Sequence, residues 1–484
     1  MRRLTTALLI TTLSIAVTLQ APAVQSQSGA ASRVMGEVSA NGQQMRWLQM
    51  LSDEIGSRLT GSLGCRRAEE VMEAEMKRIG LANVRREPFT IPVSWERGSA
   101  QAVLVSHGNR PLTVASYTWT PGTGGAIEGN VVEVGEGKPQ DVALVKDRLR
   151  GAVVLATPAG ETLDKVIYNF YRSPLMAREI KDAGGLALLI ASDKQHTMPY
   201  TAPVDFNARV AALPSLSIAR EDVGTIQRLI AGGKTPPRMR LEVRNTLGPP
   251  FEATNVVGEI IGREKPEEIV VLGAHLDSND LGPGALDNAA GVAALMETAR
   301  AILALGTAPR RTLRFVLFTG EEQGMIGATA YVARHRAEMD LTIAAVIMDV
   351  GAGRPLGWFS MGRTDLDEEI RALMKPVASF GVSTIEHSAF AATDNAPFMA
   401  EGVPNLIMLQ DESLYFTVHH TVADTFDKTD VRDFGTCVAT LAVTAFMIAD
   451  QPNRFGRRLN GDEVKKMAAE TKVDEQWRAA GIWR

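Results

Sequence analysis

Three short apolar runs stand out against the mixed background of the C-terminal half: Ile269–Leu272, Leu313–Phe318 and Ile343–Met348. Each is bounded by polar or turn-forming residues and is too short for a core helix, which predicts a buried strand. Between the first two lies DLGPGALDNAAGVAALMETARAILAL, where a Gly/Pro-rich loop leads into apolar positions at helical spacing: Val292, Leu295, Met296, Ala299, Ile302 and Leu303. Strand, helix and strand in this alternation predict an α/β fold with a mixed, largely parallel sheet flanked by helices. Upstream, residues 43–80 read as two amphipathic helices separated by a Gly/Ser turn, the second stopped by a glycine, and packed outside that sheet.

From residue 96 to 248 the pattern changes to short strands and glycine-rich turns, which predicts an inserted domain. The catalytic domain is then divided into residues 27–95 and 249–450, followed by a polar tail, 451–484, with a late amphipathic stretch. That tail suits packing on the catalytic domain and a homodimer contact equally well. The chain has neither an internal repeat nor a low-complexity segment.

At 484 residues with 45% hydrophobic content, the chain can bury more than one core. Its net charge of −5 carries no basic footprint, which argues against nucleic acid or an anionic membrane as the main partner. Met1-Arg2-Arg3 followed by LTTALLITTLSIAVTL predicts a signal peptide over residues 1–26, cleaved after Ala23 or Ser26. This reading makes the protein exported, periplasmic or extracellular, with no stable membrane insertion after cleavage. A retained N-terminal anchor is the alternative, and no later segment reads as a span. Cys65 and Cys437 are too few for a disulfide scaffold. Their pairing stays open, and Cys437, within CVATLAVTAFMIA, reads as a buried thiol.

The candidate chemistry sits at the downstream ends of the apolar runs. His275 and Asp277 follow the first, Glu321 and Glu322 the second, and Asp349 the third; Asp287 precedes the helix, and His419 and His420 lie further on. Each has a plain reading alone: a surface histidine, an N-terminal helix carboxylate, an acidic first turn, a loop. Together, at the C-terminal ends of parallel strands, they would gather on one edge of the molecule. A histidine and carboxylate set without thiolate suits Zn²⁺. Asp287 can bridge two ions with its two oxygens. Adjacent glutamates diverge, so Glu322 can ligate while Glu321 moves a proton. Asp277 is placed to receive the second ring N–H of His275.

Four segments, GAHLDSNDLGPGALDNAAG, FTGEEQG, DVGAGRPLGW and HHTVADTFDK, match in order and spacing over about the last 200 residues. In them the chain resembles the co-catalytic zinc aminopeptidase-type hydrolases, and within these the carboxypeptidase Q (plasma glutamate carboxypeptidase) branch. The resemblance implies two Zn²⁺ per chain, bridged by Asp287, with His275 and Asp349 on one and Glu322 and His420 on the other. It also implies Glu321 as general base and Asp277 as the group orienting His275. His420 is preferred to His419 by the family's His-Thr spacing, leaving His419 to contact substrate. The activity implied is that of an exopeptidase (aminopeptidase or dipeptidase) that hydrolyses small peptides through a bridging hydroxide. Asn288 departs from the second acidic residue that many relatives carry there. LRGAVVLAT and AREIKDAGGLALLIAS are similar to a protease-associated (PA-type) domain, which would roof the cleft and limit substrate size; Gly184 and Gly185 also read simply as a helix stop. Loops Phe390–Phe398 and Tyr415–Val418 are expected to shape specificity. The alternatives are a one-zinc glutaminyl-cyclase-like enzyme and a catalytically silent binding module, and the complete five-ligand set argues against both.

Overall fold

The computed structural model describes residues 23–159, 163–233 and 236–483. An eight-stranded sheet carries the motif-bearing segments. Its strands are β1 (Ala82–Ile91), β2 (Phe251–Ile260), β3 (Lys265–His275), β4 (Arg311–Phe318), β5 (Thr342–Ile347), β6 (Pro355–Phe359), β7 (Thr384–Glu386) and β8 (Asn405–Gln410). They lie in the order β1-β2-β4-β3-β5-β8-β6-β7. The central four, β4, β3, β5 and β8, are parallel, and the antiparallel pairs lie outside them.

The apolar runs are continuous because both faces of the sheet are covered. Val270, Leu272 and Ala274 of β3 point into one apolar cluster, while Ile269 and Val271 point into another. Helices Ala23–Asn41, Ala290–Leu303 and Val431–Asp450 cover the first face. Helix Ile326–Arg334 and the C-terminal helices Gly461–Thr471 and Val473–Ala480 cover the second. In register, His275 lies beside Phe318 and Gly273 beside Ile347, so His275, Glu321, Glu322 and Asp349 all leave the same sheet edge.

The segment Gln44–Gln49 continues as a wider helical turn, Met50–Ile55, before helix Leu63–Ile79. Ser62 Oγ caps that helix by accepting from Cys65 N, and Gly80 ends it at φ +95°, a conformation that suits glycine. Helix Ala23–Asn41 was not foreseen; it buries Ala31, Val34 and Val38 at helical spacing. Of the expected signal peptide, residues 1–22 lie outside the described residues and 23–26 begin this helix. One expectation is corrected: Val431–Asp450 is long and apolar enough to cross a membrane. Its apolarity has a core explanation, because Phe434, Val438, Leu441 and Phe446 are buried among the other helices and the sheet. Cys65 and Cys437 are both buried, free thiols.

Residues Ala100 to Val243 supply a second eight-stranded sheet. A two-stranded ribbon, Ser94–Glu96 with Thr246–Gly248, leads into and out of it. LRGAVVLAT contains strand Val153–Ala156, while AREIKDAGGLALLIAS holds the end of helix Leu163–Asp182 and strand Ala187–Ala191. Gly184 turns between them at φ +84°. The C-terminal tail folds back on its own chain: Val464, Met467, Val473 and Trp477 join Phe359, Phe390 and Phe398 in one cluster.

Candidate metal centre

His275 ends β3 with its ring buried. Its Nδ1 lies 3.0 Å from the Asp277 carbonyl, so Nδ1–H donates there and Nε2 is left facing Asp287 Oδ1 at 3.1 Å and Asp349 Oδ1 at 3.6 Å. The expected bond from the His275 ring N–H to the Asp277 carboxylate does not form; Oδ1 is 3.8 Å from Nδ1. That carboxylate is occupied elsewhere, accepting from Thr60 Oγ1 at 2.8 Å and from the backbone N–H groups of Glu321 and Glu322 at 3.3 and 3.4 Å. Asp277 therefore orients His275 through its main chain and the glutamate turn through its side chain.

Asp287 sits in a non-helical stretch just before helix Ala290–Leu303, not in that helix's first turn. Asp424 holds this stretch, accepting from Leu286 N at 2.7 Å and Asp287 N at 3.0 Å. The buried Arg58 guanidinium donates to the carbonyls of Leu276, Pro283 and Gly284, tying the loop to the end of β3. Asn288 Nδ2 donates to Met348 O at 2.9 Å and its Oδ1 accepts from Gly291 N, so this amide braces the approach to Asp349.

Glu322 accepts from Asn279 N at 2.9 Å and from Asn279 Nδ2 at 2.5 Å. His420 Nε2 lies 3.1 Å from Glu322 Oε2 and 2.9 Å from Asp287 Oδ2. Two donor groups result, His275–Asp287–Asp349 and Asp287–Glu322–His420, with Asp287 common to both. Glu321 belongs to neither. His419 stacks on Tyr415 with centroids 4.9 Å apart and stands beside Lys194 Nζ, outside both groups.

Charge is strongly one-sided. Burial, with Asp349, Asp394 and Glu322 nearby, raises the pKa of Glu321 well above the ordinary carboxylate range. Burial also raises Asp424, to about 7. For Asp287 burial acts the same way, but His275 and His420 outweigh it and hold the group well below its usual value. Asp394 is fully buried and, among the described residues, neither carboxylate oxygen has a hydrogen-bond partner. Buried Arg58 offsets part of the charge on Asp424, Asp277 and Asp287, but the carboxylates outnumber it, and bound cations would relieve the remaining cost of burying them. The donor set therefore fits zinc: imidazole nitrogen and carboxylate oxygen, converging as two groups around one shared aspartate. Sequence reasoning missed Arg58, Thr60 and Asp394. It had Asp424 within a quoted motif without giving it a role.

A cavity of about 240 Å³ opens over this centre between the two sheets. Its walls include Asp287, Glu321, Glu322 and His420 on one side, Tyr117, Asp193 and Tyr200 on the other, and Phe390 and Tyr415 from the two loops expected to shape specificity.

Paired histidine–carboxylate groups on the C-terminal edge of a parallel sheet, facing a cleft, define a metal-dependent hydrolase. The model of peptidase family M28 matches residues 255–445. Carboxypeptidase Q from Bos taurus is 30% identical over 433 residues, covering 83% of this chain and 84% of that protein. A peptidase M28 precursor from Shewanella amazonensis superposes with TM-score 0.82 at 27% identity, covering 90% of this chain and 99% of that one. A zinc aminopeptidase from Bacillus subtilis shares the fold, with TM-score 0.66 at 18% identity over 87% and 98% of the two chains. The chain belongs to peptidase family M28 and is a carboxypeptidase Q-like metallopeptidase. Zinc is the metal this membership implies.

Proposed function

We propose that the protein is a two-zinc exopeptidase that releases residues from the free amino end of small peptides. The observation that carries this reading is the division of Asp287: Oδ1 faces His275 and Oδ2 faces His420. His275 and Asp349 would hold one zinc, Glu322 and His420 the other, with Asp287 common to both. When bound, such a pair polarises the scissile carbonyl and makes water a stronger acid near neutral pH. Glu321, on the cavity wall and outside both donor groups, takes a proton from the attacking water and returns it to the departing nitrogen.

A preference for an amino end is supported by the walls. Carboxylates of Asp193, Glu321 and Glu412 line the cavity, while among the described residues no arginine or lysine does. A peptide ammonium therefore finds carboxyl oxygens there to accept its hydrogen bonds, whereas a terminal carboxylate meets no arginine or lysine among the described residues of the wall. The inserted unit, read as PA-type, closes the cleft from above and limits substrate length. With residues 1–26 read as a signal peptide, the enzyme works outside the cytoplasm.

The test is zinc content of the mature protein, with hydrolysis of dipeptides carrying free, N-blocked or C-blocked ends, before and after chelation. About two zincs per chain, chelator-sensitive cleavage and intolerance of the N-block support the reading. One zinc or none without cleavage overturns it, and cleavage of N-blocked but not C-blocked peptides reverses the polarity.

A further inference from the structure

The loop of the inserted unit between Ser192 and Thr201 grips the loop that carries His420. Lys194, whose side chain is 1% exposed, donates from Nζ to the Phe416 carbonyl at 2.6 Å and stands 3.3 Å from His419 Nδ1. Tyr200 Oη lies 3.0 Å from His420 Nδ1, with the two rings stacked at 5.1 Å between centroids and 27° between planes. Thr201 N–H donates to the His420 carbonyl at 3.0 Å. His420 itself has φ +60°, a left-handed conformation that is uncommon for residues other than glycine. These contacts hold its ring and its main chain at once.

The two histidines are thus steadied from different places. The His275 ring is fixed by the Asp277 carbonyl within its own loop. For Nε2 of His420 to hold a cation, the ring proton must sit on Nδ1, where Tyr200 Oη accepts it. Resting on the two-zinc reading, we infer that Tyr200 is a positioning residue for the metal held by Asp287, Glu322 and His420, so that this half of the centre is complete only when the inserted unit is docked.

Tyr200→Phe keeps the stacked ring and removes only the acceptor. Loss of a group that orients a metal-bound histidine weakens binding by about 10- to 100-fold. The experiment titrates metal-free wild type, Tyr200→Phe and His420→Ala with Zn²⁺ against a chelating dye, and with Co²⁺ followed by visible absorption, alongside thermal unfolding of each metal-free protein. The inference expects two sites in wild type, one in His420→Ala, and in Tyr200→Phe one unchanged site and one weakened about 10- to 100-fold, with an unaltered unfolding temperature. Two wild-type affinities in Tyr200→Phe overturn the inference and leave the two-zinc reading standing; equal weakening of both sites with a lowered unfolding temperature also overturns it, in favour of general structural support. Fewer than two sites in wild type overturn the underlying reading. Should Tyr200→Phe be recovered unfolded, the zinc-loaded wild type gives the answer by proton NMR. A slowly exchanging imidazole N–H absent from His420→Gln supports the bond, and its absence from wild type overturns it.

Discussion

Replacing Glu321 by glutamine separates proton transfer from metal binding, because the amide keeps the side chain's size and loses its basicity. Glu321 stands on the cavity wall but in neither donor group, and its backbone N–H bond to Asp277 survives the change. Metal content should therefore stay at the wild-type value. Turnover should fall by about 10²–10⁴-fold, or about 2.7–5.4 kcal/mol of barrier, the usual worth of a positioned acid–base group. Because the substrate's contacts to the walls remain, most of the loss should appear in kcat and little in KM. The assay is steady-state hydrolysis of a chromogenic aminoacyl amide, with zinc measured on the same dialysed sample. Loss of zinc together with activity would show that Glu321 is a ligand. A drop in turnover below tenfold with metal intact would show that another group moves the proton.

Three further outcomes follow from particular contacts. Asp287→Asn should strip the protein of nearly all its zinc after dialysis, whereas Glu322→Gln should retain about one per chain, since only the first residue serves both donor groups; elemental analysis distinguishes the two. Asn288→Ala removes the donor to Met348 O and the acceptor for Gly291 N, and should lower stability by about 1–3 kcal/mol in urea unfolding of the metal-free protein. Burial opposes the charge on Glu75, but bonds from Arg78, Arg46 and Trp47 outweigh it and hold its pKa at about 2 instead of 4.5. A depressed carboxylate stabilises the fold above its unfolded pKa and loses that contribution as pH falls, here between about 4.5 and 2. Discounted for the 46% and 47% exposure of its arginine partners, Glu75→Gln should cost about 1–2 kcal/mol at pH 7 and almost nothing near pH 2, measured by denaturant unfolding across that range.

Three central strands, β3, β4 and β5, were legible because burial on both faces writes a continuous apolar run, and the groups that follow them inherit their position from those runs; β8, equally central, was not read. Asp287 was legible as a polar group before a helix, yet its non-helical backbone depends on Asp424, 137 residues away in sequence. A His-x-Asp spacing does not reveal whether the carboxylate or the carbonyl turns to the ring. That choice rests on Thr60, 217 residues distant, which claims the Asp277 side chain. Arg58 was equally silent, since its guanidinium meets carbonyls and no complementary acidic motif signals it. Tyr200 escaped notice because an aromatic residue in a loop of the inserted segment carries no local mark of the histidine it meets.

The folded-back tail has a consequence for how such an enzyme changes its diet. Gln476 accepts a hydrogen bond from Ala391 N at 2.9 Å, and Trp477 packs in the cluster that contains Phe390, a residue of the cavity wall. One wall of the substrate chamber is thus propped by a segment beyond residue 450, downstream of every zinc-binding candidate. Exchanging residues 451–484 between relatives becomes a way to reshape side-chain preference as a heritable module, while the machinery that breaks the peptide bond passes through the exchange untouched.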